Sequence, residues 1–314
     1  MIIAVLGGGG FIGSAIVDRL LRDGHVIRVF ERPFVKPYRQ FLENENVEWL
    51  TGDFMNIDDV SRVIDSVDIV LHLVSTTLPK NSNENPIYDV QSNLVAALQL
   101  LDTMVLKQIR KIIFISSGGT IYGAPLYLPI DEIHPTDPLV SYGITKLAIE
   151  KYILMYQYLH GIKAVILRVA NPFGQRQRVE NAQGAVSAFL EKAIQKLPVE
   201  IWGDGSITRD YIYVSDVANA FASAVNYDGA KTIFNIGSGV GTSLNELLDV
   251  LEHTLGHKII RHFKSNRSFD VPVSILDNSL ARQELEWEPQ INLEEGIRNI
   301  IIQKSRNSDK NINI

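Results

Sequence analysis

A tyrosine and a lysine lie four residues apart in the segment 141–146, which reads SYGITK. A helical pattern of apolar residues follows at once, so Tyr142 and Lys146 are predicted to lie on one face of a helix, one turn apart. A cation fixed beside a phenol stabilises the phenolate, and we expect the pKa of Tyr142 to fall from about 10 toward the working pH. The pair predicts an acid/base that takes a proton from a sugar or alcohol hydroxyl. The same spacing also occurs on ordinary amphipathic helices, so the surrounding elements decide its meaning.

The first elements of the chain predict a nucleotide site. Residues 2–6 form a continuous apolar run, which is typical of a strand buried on both faces. Gly7, Gly10 and Gly13 follow, and then a helical pattern that runs through Leu21. Glycines let the backbone approach a pyrophosphate, and a helix N-terminus offers N–H groups and the positive end of its dipole. The order of strand, turn and helix therefore indicates nucleotide binding.

An acid at the end of the second strand indicates which nucleotide this is. Glu31 ends a second predicted strand over residues 26–30 and lies eighteen residues after the last glycine of the turn. A carboxylate there accepts hydrogen bonds from both ribose hydroxyls of an adenosine and repels a 2′-phosphate, which favours NAD. Arg32 beside it could accept a 2′-phosphate, so NADP stays open. The third strand ends in Asp53 and Phe54, which we expect to meet the adenine.

The alternation of elements predicts the fold class. Strands and helices alternate up to residue 170, which indicates an α/β fold with a Rossmann-type, doubly wound parallel sheet. We assign residues 1–170 to an NAD-binding domain, to which the segment around 208–240 returns. Residues 171–314 are assigned mainly to a smaller C-terminal substrate-binding lobe. His72 lies within an apolar strand and is predicted to be a packed core histidine rather than a ligand.

Polar side chains in two regions suggest ligand contacts. Ser116 and Ser117 end a buried strand, and open α/β sheets bind ligands at the carboxyl ends of their strands. Arginines recur in the second half of this acidic chain, and the planar guanidinium suits a phosphate. They are Arg176, Arg178, Arg209 and Arg267. The set predicts a phosphorylated ligand, although each arginine alone is also typical of a solvated surface.

Composition narrows the classes of function. A net charge of −6 over 314 residues argues against nucleic-acid binding, which needs a basic face. There are 0 cysteines, which excludes disulfides, thiol nucleophiles and zinc–thiolate sites. No apolar run reaches the roughly 18 residues of a membrane span, and the start lacks the basic region of a signal peptide. We expect a cytoplasmic protein with no membrane partner and no metal site.

In their order along the chain, these residues resemble the extended short-chain dehydrogenase/reductase family. The similarity is greatest to its NAD-dependent nucleotide-sugar epimerases and dehydratases, and among them to the UDP-sugar 4-epimerases. It covers residues 1 to about 300. The motifs that carry it are Gly7-x-x-Gly10-x-x-Gly13, Gly52-Asp53, Asn93, Tyr142-x-x-x-Lys146, Arg168-x-x-Asn171-Pro172, Arg209-Asp210-Tyr211 through Asp216, and Arg267-x-x-Asp270-Val271-Pro272.

The resemblance implies a reaction and a set of contacts. Tyr142 would take the proton of the sugar 4-hydroxyl, while Lys146 holds the nicotinamide ribose. Hydride would pass from C4 to NAD, and the resulting 4-keto sugar would turn and receive it on its other face. The implied cofactor contacts are Gly7, Gly10, Phe11, Ile12, Gly13, Glu31, Asp53, Phe54, Leu73, Asn93 and Lys146. The implied contacts of the UDP-sugar are Thr76, Thr120, Asn171, Arg209, Arg267 and Ser274.

One departure from the family pattern concerns the hydroxyl that assists the tyrosine. The family's third serine at this strand end corresponds here to Gly118, so Ser117 is the predicted catalytic hydroxyl and Thr120 the alternative. Residues 118–120 carry no carboxylate, unlike the 4,6-dehydratases, and the chain lacks the cysteine of the 3,5-epimerases. C4 epimerisation is therefore favoured over the other reactions of the family.

The sugar is a separate question. Ser274 corresponds to a position where some members carry a bulky tyrosine, and a small residue there is similar to members that admit 2-acetamido sugars. This favours UDP-GlcNAc/UDP-GalNAc, with UDP-Glc/UDP-Gal as well or instead. UDP-glucuronate stays open because residues 175–178 could bind a carboxylate. Another dehydratase or reductase activity, and a non-catalytic NAD-binding regulatory protein, are the remaining alternatives.

The resemblance also implies a homodimer. Family members commonly pair two helices from each subunit into a four-helix bundle. Here these would be the long helix that begins at Pro86 and the helix that carries Tyr142, with Ile153, Leu154 and Tyr158 as candidate contacts.

Overall fold

The computed structural model describes residues 1–78, 81–178, 184–265 and 271–312. A seven-stranded sheet in which every pairing is parallel forms its centre. Its strands are β1 (Ile2–Leu6), β2 (Val26–Glu31), β3 (Val47–Thr51), β4 (Ile69–His72), β5 (Lys111–Ser117), β6 (Lys163–Val169) and β10 (Ile233–Ile236). They are arranged in the order β10-β6-β5-β4-β1-β2-β3. The strand order reverses at β1, and sheets of this type bind their ligand in a crevice at such a reversal, here the carboxyl ends of β1 and β4.

Helices cover both faces of this sheet, which confirms the predicted Rossmann-type fold. They are α1 (Phe11–Arg22), α2 (Ile57–Val63), α3 (Pro86–Asp89), α4 (Ala96–Leu106), α5 (Ser141–His160) and α7 (Val214–Asn226). α1 and α7 pack on one face, and α2, α4 and α5 on the other. Along β1, Ile3 and Val5 point to the first face while Ala4 and Leu6 point to the second, the period of two of a strand buried on both sides.

A smaller lobe has its own sheets and its own core. Its strands are β7 (Asn171–Phe173), β8 (Val199–Trp202), β9 (Thr208–Tyr213), β11 (Gly241–Ser243), β12 (Arg261–Lys264) and β13 (Val273–Ser274). β9 pairs with β7, β11 and β13, and β8 pairs with β12. The helices α6 (Ala185–Ile194), α8 (Leu244–Leu255) and α10 (Leu293–Ile312) enclose this core, and α9 (Ser279–Glu284) lies beside β10. β9 thus belongs to the lobe, whereas β10 returns to the main sheet.

The long helix predicted to begin at Pro86 is divided into three parts. Asn85 caps α3 by accepting the Tyr88 N–H at 3.0 Å, and Pro86 opens its first turn. A π-helical segment, Val90–Val95, separates α3 from α4. This wider turn is typical of functional sites and leaves no trace in apolar periodicity. Among the described residues, no helix is both long enough and apolar enough to cross a membrane.

The helix that carries Tyr142 is held at its N-terminus by side chains from a distant segment. The side chain of its N-cap residue, Val140, makes no hydrogen bond to the helix. Instead, Asn83 accepts the N–H of Ser141 at 2.8 Å, and Ser82 accepts the N–H of Tyr142 at 3.1 Å. Gly161 ends the helix with a left-handed φ of 69°. The first turn of α5 is therefore fixed by the loop that precedes α3.

Candidate active site

Tyr142 and Lys146 are neighbours against the carboxyl end of β5. The Lys146 side chain is buried, and its Nζ donates a hydrogen bond to the carbonyl oxygen of Ile115 at 3.0 Å. Nζ lies 4.7 Å from the centroid of the Phe114 ring and 5.8 Å from that of the Tyr142 ring. The structure thus brings the two sequence-predicted side chains together, with the ammonium bonded to the end of β5.

The pKa of Tyr142 is raised to about 12, and the expectation of a lowered value was wrong for this arrangement. Burial disfavours the phenolate, and the carboxylate of Asp89 adds to the effect. Burial also lowers the pKa of Lys146 to about 8, while the carboxylates of Glu150 and Asp89 act in the opposite direction. Residue spacing alone shows neither how deeply a phenol is buried nor where a neighbouring ammonium binds.

Two hydroxyls near the end of β5 are candidates for the third catalytic group. Ser117 is the last residue of the strand and is half-buried. The hydroxyl oxygen of Thr120 is buried and has no hydrogen-bond partner within the described ranges. The backbone of Thr120 packs on Gly143, where an added Cβ would lie 2.8 Å from the Thr120 carbonyl oxygen. At Gly118 an added Cβ would overlap a methyl of Leu276 and lie 3.1 Å from the Arg168 carbonyl oxygen, so a serine at this position would require the leucine side chain to move.

The glycine turn after β1 has the shape of a pyrophosphate cradle. Gly7 adopts a left-handed φ of 87°, and a Cβ on Gly13 would collide with the carbonyl oxygen of Gly7. At Gly10 an added Cβ would meet nothing closer than 3.5 Å, so the outer side of the turn is open. Phe11 and Ile12 begin α1, whose first turn has no side-chain cap and no acidic residue. These N–H groups and the positive helix end fit the pyrophosphate of NAD.

The predicted adenosine contacts divide into two groups. Glu31 lies beside the turn: its Oε2 would be 3.2 Å from a Cβ on Gly9, and burial raises the pKa of its carboxyl group. Asp53 is exposed and its side chain is accessible to a ligand. The Phe54 ring is only 4% exposed and packs in the core under α2 and α4. The core takes up most of this aromatic surface, and the predicted contact of Phe54 with the adenine stays a prediction.

Leu73 and Thr76 follow β4 at the crevice, and Leu73 lies next to the glycine turn. The Thr76 N–H donates to Asn93 Oδ1 at 2.9 Å, and Asn93 Nδ2 donates to Asp89 at 3.0 Å and to the Thr77 hydroxyl at 3.2 Å. Asn93 is 5% exposed, so its amide fixes the segment after β4 to the π-helical segment. Both ends of this amide bond to protein groups, and the predicted contact of Asn93 with the cofactor stays a prediction.

A cavity of about 470 Å³ lies between α6, β7, β8 and β9. Asn171 and Arg209, both predicted to contact the substrate, line it, and Asn171 Nδ2 donates to the Asp210 carbonyl oxygen at 3.0 Å. The sequence reasoning missed Lys192 and Trp202, which also line the cavity. Trp202 is 37% exposed on a strand of alternating burial, and an outward tryptophan in such a pattern is a signal that could have been used.

Two further predicted substrate residues differ in their placement. Arg267 lies outside the described residues. Ser274 is 4% exposed on β13 and stands in register with Arg209 on β9. Ser274 therefore lies one strand from a residue that lines the cavity.

The arginines of residues 175–178 bind protein groups. Arg176 donates to Asp18 of α1 at 2.6 Å. The guanidinium of Arg178 lies 3.9 Å from the centroid of the Tyr38 ring and donates to the Lys36 carbonyl oxygen at 3.2 Å. Arg176 therefore contacts α1 and Arg178 the segment after β2, and the predicted binding of a phosphate or a sugar carboxylate by residues 175–178 stays a prediction.

Three buried charged residues lie on or beside α5, and two of them, Glu150 and Asp89, are not among the residues predicted from the sequence. Arg168 donates to both carboxylate oxygens of Glu150, at 3.1 and 2.7 Å, and to the Tyr122 hydroxyl at 2.9 Å. Ser116 donates to the same Glu150 carboxylate. The third residue, Asp89, is fully buried and bonds to the first turns of α5. A buried acid on an otherwise apolar helix face is the sequence signal for Glu150 and Asp89.

His72 lies beneath this site, where the sequence predicted a core histidine. Its ring centroid is 5.0 Å from that of Phe54 and 5.2 Å from that of Phe114. Neither ring nitrogen has a hydrogen-bond partner within the part of the chain that the structure describes. Burial lowers the pKa of His72 to about 3 from its ordinary value of 6.5, and the nearby Lys146 ammonium acts in the same direction.

His72→Leu is expected to stabilise the protein at low pH. A histidine with a depressed pKa stays neutral in the folded state, while the unfolded state binds a proton below pH 6.5. Stability is therefore lost as the pH falls from 6.5 toward 3, by about 2 kcal/mol at pH 5. Urea unfolding at pH 7 and pH 5 measures this loss of stability. The loss should be smaller in His72→Leu than in the parent protein by about 2 kcal/mol. His262→Gln, which replaces an exposed histidine on β12, is the control, and an equal loss in all three proteins would contradict the expectation.

Comparison with known proteins places this geometry in a family. The sequence model of the NAD dependent epimerase/dehydratase family matches residues 3–237. The chain belongs to this family, whose cofactor is NAD. It is 35% identical over 297 residues to a UDP-glucose 4-epimerase of Mycolicibacterium smegmatis, covering 93% of this chain and 95% of that protein.

Two solved structures are also similar over nearly the whole chain. One is a UDP-glucose 4-epimerase with UDP-glucose from Thermotoga maritima, with a TM-score of 0.92, 32% identity, and coverage of 98% of this chain and 99% of that one. The other is a UDP-N-acetylglucosamine 4-epimerase from Methanobrevibacter ruminantium in complex with UDP-N-acetylmuramic acid. Its TM-score is 0.89 at 27% identity, covering 95% of this chain and 96% of that one.

Proposed function

We propose that this protein inverts C4 of a UDP-sugar with NAD as its cofactor, through a transient 4-keto sugar. The observation that carries the proposal is the placement of Tyr142 beside Lys146 at the carboxyl edge of the sheet. The glycine turn lies at the same edge, and the cavity lined by Asn171 and Arg209 lies in the lobe beyond. The names of the similar proteins support the same reaction.

In the proposed mechanism, Tyr142 takes the proton of the 4-hydroxyl as hydride leaves C4, and returns it when the hydride comes back to the other face. NAD, when bound, supplies the hydride acceptor and a positive charge that favours the phenolate. Lys146, anchored on the Ile115 carbonyl oxygen, presents an ammonium to the ribose and the phenol. Ser117 or Thr120 would hold the 4-oxygen during the transfer.

The cavity provides the binding energy that keeps the 4-keto sugar from leaving. Arg209 and Lys192 bring two positive charges to it, which suits the diphosphate of a UDP-sugar. Trp202 offers an aromatic surface at its edge for the base. We include Arg267 among the diphosphate contacts on the strength of the family motif.

Proton NMR of the purified protein with UDP-GlcNAc, first without and then with added NAD, tests the function. Appearance of UDP-GalNAc is the expected result, and activity without added NAD would show that the cofactor stays bound. Conversion of UDP-Glc or UDP-glucuronate alone would keep the mechanism and change the sugar. Consumption of NADPH with a 4-keto sugar would support a reductase, and NAD binding without any turnover would support a regulatory protein.

We further propose that the small Ser274 admits the N-acetyl group. Ser274→Tyr should lower kcat/KM for UDP-GlcNAc by about 10-fold or more while UDP-Glc is still converted, because a phenol ring would take the space of the acetamido group. NMR rates with both sugars measure the ratio, and Ser274→Ala is the control of unchanged size. Full activity of the tyrosine variant on the acetylated sugar would refute the assignment.

A homodimer is also part of the proposal. Ile144, Met155, Tyr158 and Leu159 are exposed on α5, beside the exposed apolar residues of α3 and α4. Ile153, one of the predicted contacts, is fully buried in the core and is not available. Sedimentation velocity should give twice the monomer mass of 35.1 kDa, and a monomer at micromolar concentration would contradict the proposal.

A further inference from the structure

The carboxylate of Asp89 is fully buried and accepts hydrogen bonds from four side chains. Its Oδ1 accepts from the Thr77 hydroxyl and, at 3.0 Å, from Asn93 Nδ2. Its Oδ2 accepts from the hydroxyl of Ser141 at 2.7 Å and from that of Thr145 at 2.8 Å. All four partners are neutral, so Asp89 is a buried charge stabilised by hydrogen bonds rather than by an ion pair.

These bonds place Asp89 at the junction of three segments. Thr77 belongs to the segment after β4 at the crevice, and Asn93 belongs to the π-helical segment. Ser141 and Thr145 each stand directly before one of the two candidate catalytic residues on α5. A hydroxyl fixed on each side of that turn restricts the position of the backbone from which both side chains project. Asp89 therefore controls the location of the acid/base relative to the cofactor crevice.

The charge of Asp89 also acts on the site. From α5, the ionisable groups Tyr142 and Lys146 feel it, and it favours the protonated form of both. Glu150, one turn further along α5, acts on Lys146 in the same sense, and neutral His72 on β4 lies beyond Phe114. The carboxylate also lies at the N-terminal end of α5, where the helix dipole favours a negative charge.

We propose that Asp89 is a positioning residue for the reaction, which fixes the first turns of α5 against the segment after β4. The proposal rests on the proposed function only for its kinetic readout. Its geometric basis is the four hydrogen bonds that meet at one buried carboxylate.

Asp89→Asn is the first test, because it keeps the size of the side chain and removes the charge. We expect kcat to fall by about 10- to 100-fold with KM for the UDP-sugar changed by less than about 3-fold, since the cavity lies elsewhere. The pH profile of kcat should move to lower pH, because the carboxylate raises the pKa of both Tyr142 and Lys146. A residue that only supports folding would lower the profile without moving it.

The second test needs no turnover. Absorbance titration of Tyr142, taken as the difference from a Tyr142→Phe protein, should show its phenol ionising at lower pH in Asp89→Asn than in the parent chain. This shift remains measurable if no UDP-sugar is converted, so failure of the proposed function and failure of the present inference are distinguishable. An unmoved titration together with an unmoved kinetic profile would overturn the inference.

If Asp89→Asn does not fold, a pair of variants on α5 still tests the proposal. Thr145→Val removes one hydroxyl at nearly constant volume, while Thr145→Ser keeps it. We expect the valine variant to reproduce the loss of kcat and the serine variant to restore it to within about 3-fold of the parent. Equal activity of the two variants would show that the hydroxyl bond to Asp89 does not position the site.

Discussion

Replacing Tyr142 by phenylalanine is expected to lower kcat by about 10³-fold while the protein still binds NAD and UDP-sugar. The substitution removes only the phenolic oxygen, which is the acid/base in the proposed reaction. The ring keeps its place beside Lys146, whose Nζ is bonded to the end of β5 and does not depend on the phenol. NMR conversion rates measure the loss, and cofactor released on denaturation measures bound NAD.

A matched control exists on the same helix. Tyr152 is 38% exposed on α5, and Tyr152→Phe removes the same atom away from the crevice. It should retain the activity of the parent protein. Activity of the Tyr142 variant within about 10-fold of the parent would assign the proton transfer to another group, and Thr120, with its buried and unpartnered hydroxyl in the described chain, would be the first to examine.

The parts of the fold that depend on local pattern could be predicted from the sequence. The continuous apolar run at residues 2–6 became β1 with the same bounds, because a strand buried on both faces must be continuously apolar. The second predicted strand, residues 26–30, became β2 with one residue added. The glycine turn was equally readable, since Gly7 needs a left-handed φ and Gly13 leaves no room for a Cβ. Each of these features is determined within about ten residues of chain.

Features that depend on contacts between distant segments could not be predicted from the sequence. The spacing of Tyr142 and Lys146 was correct, but the direction of the pKa shift depended on burial and on Asp89, more than fifty residues earlier in the chain. The Phe54 ring was assigned to the adenine because it ends a strand, whereas its burial depends on helices that pack from elsewhere. The π-helical segment has no sequence period that would distinguish it from the α-helices on either side.

The buried pair of Glu150 and Arg168 depends both on a local sequence motif and on a contact between distant segments. Its removal carries the largest expected effect on stability. Arg168, on β6, begins one of the family motifs, while Glu150 lies one turn after Lys146 on α5. Both side chains are at most 3% exposed, and their two hydrogen bonds join the helix to the sheet. The Tyr122 hydroxyl and the Ser116 hydroxyl complete the shell. Such a pair is costly to desolvate, so removing one partner leaves a buried charge without compensation.

Arg168→Met and Glu150→Leu should each lower the free energy of unfolding by about 3–5 kcal/mol, and the double variant should lose less than either single one. Urea unfolding monitored by circular dichroism gives the three values, and the exposed Asp228→Asn, whose partner is Lys163, should leave the transition unchanged. Losses that simply add would show that the two charges do not interact.

The double variant has a second use, because the Glu150 carboxylate raises the pKa of Lys146 and so opposes the effect of burial. A double variant that folds well but loses activity above neutral pH would show that the pair is retained for the charge of the lysine rather than for stability.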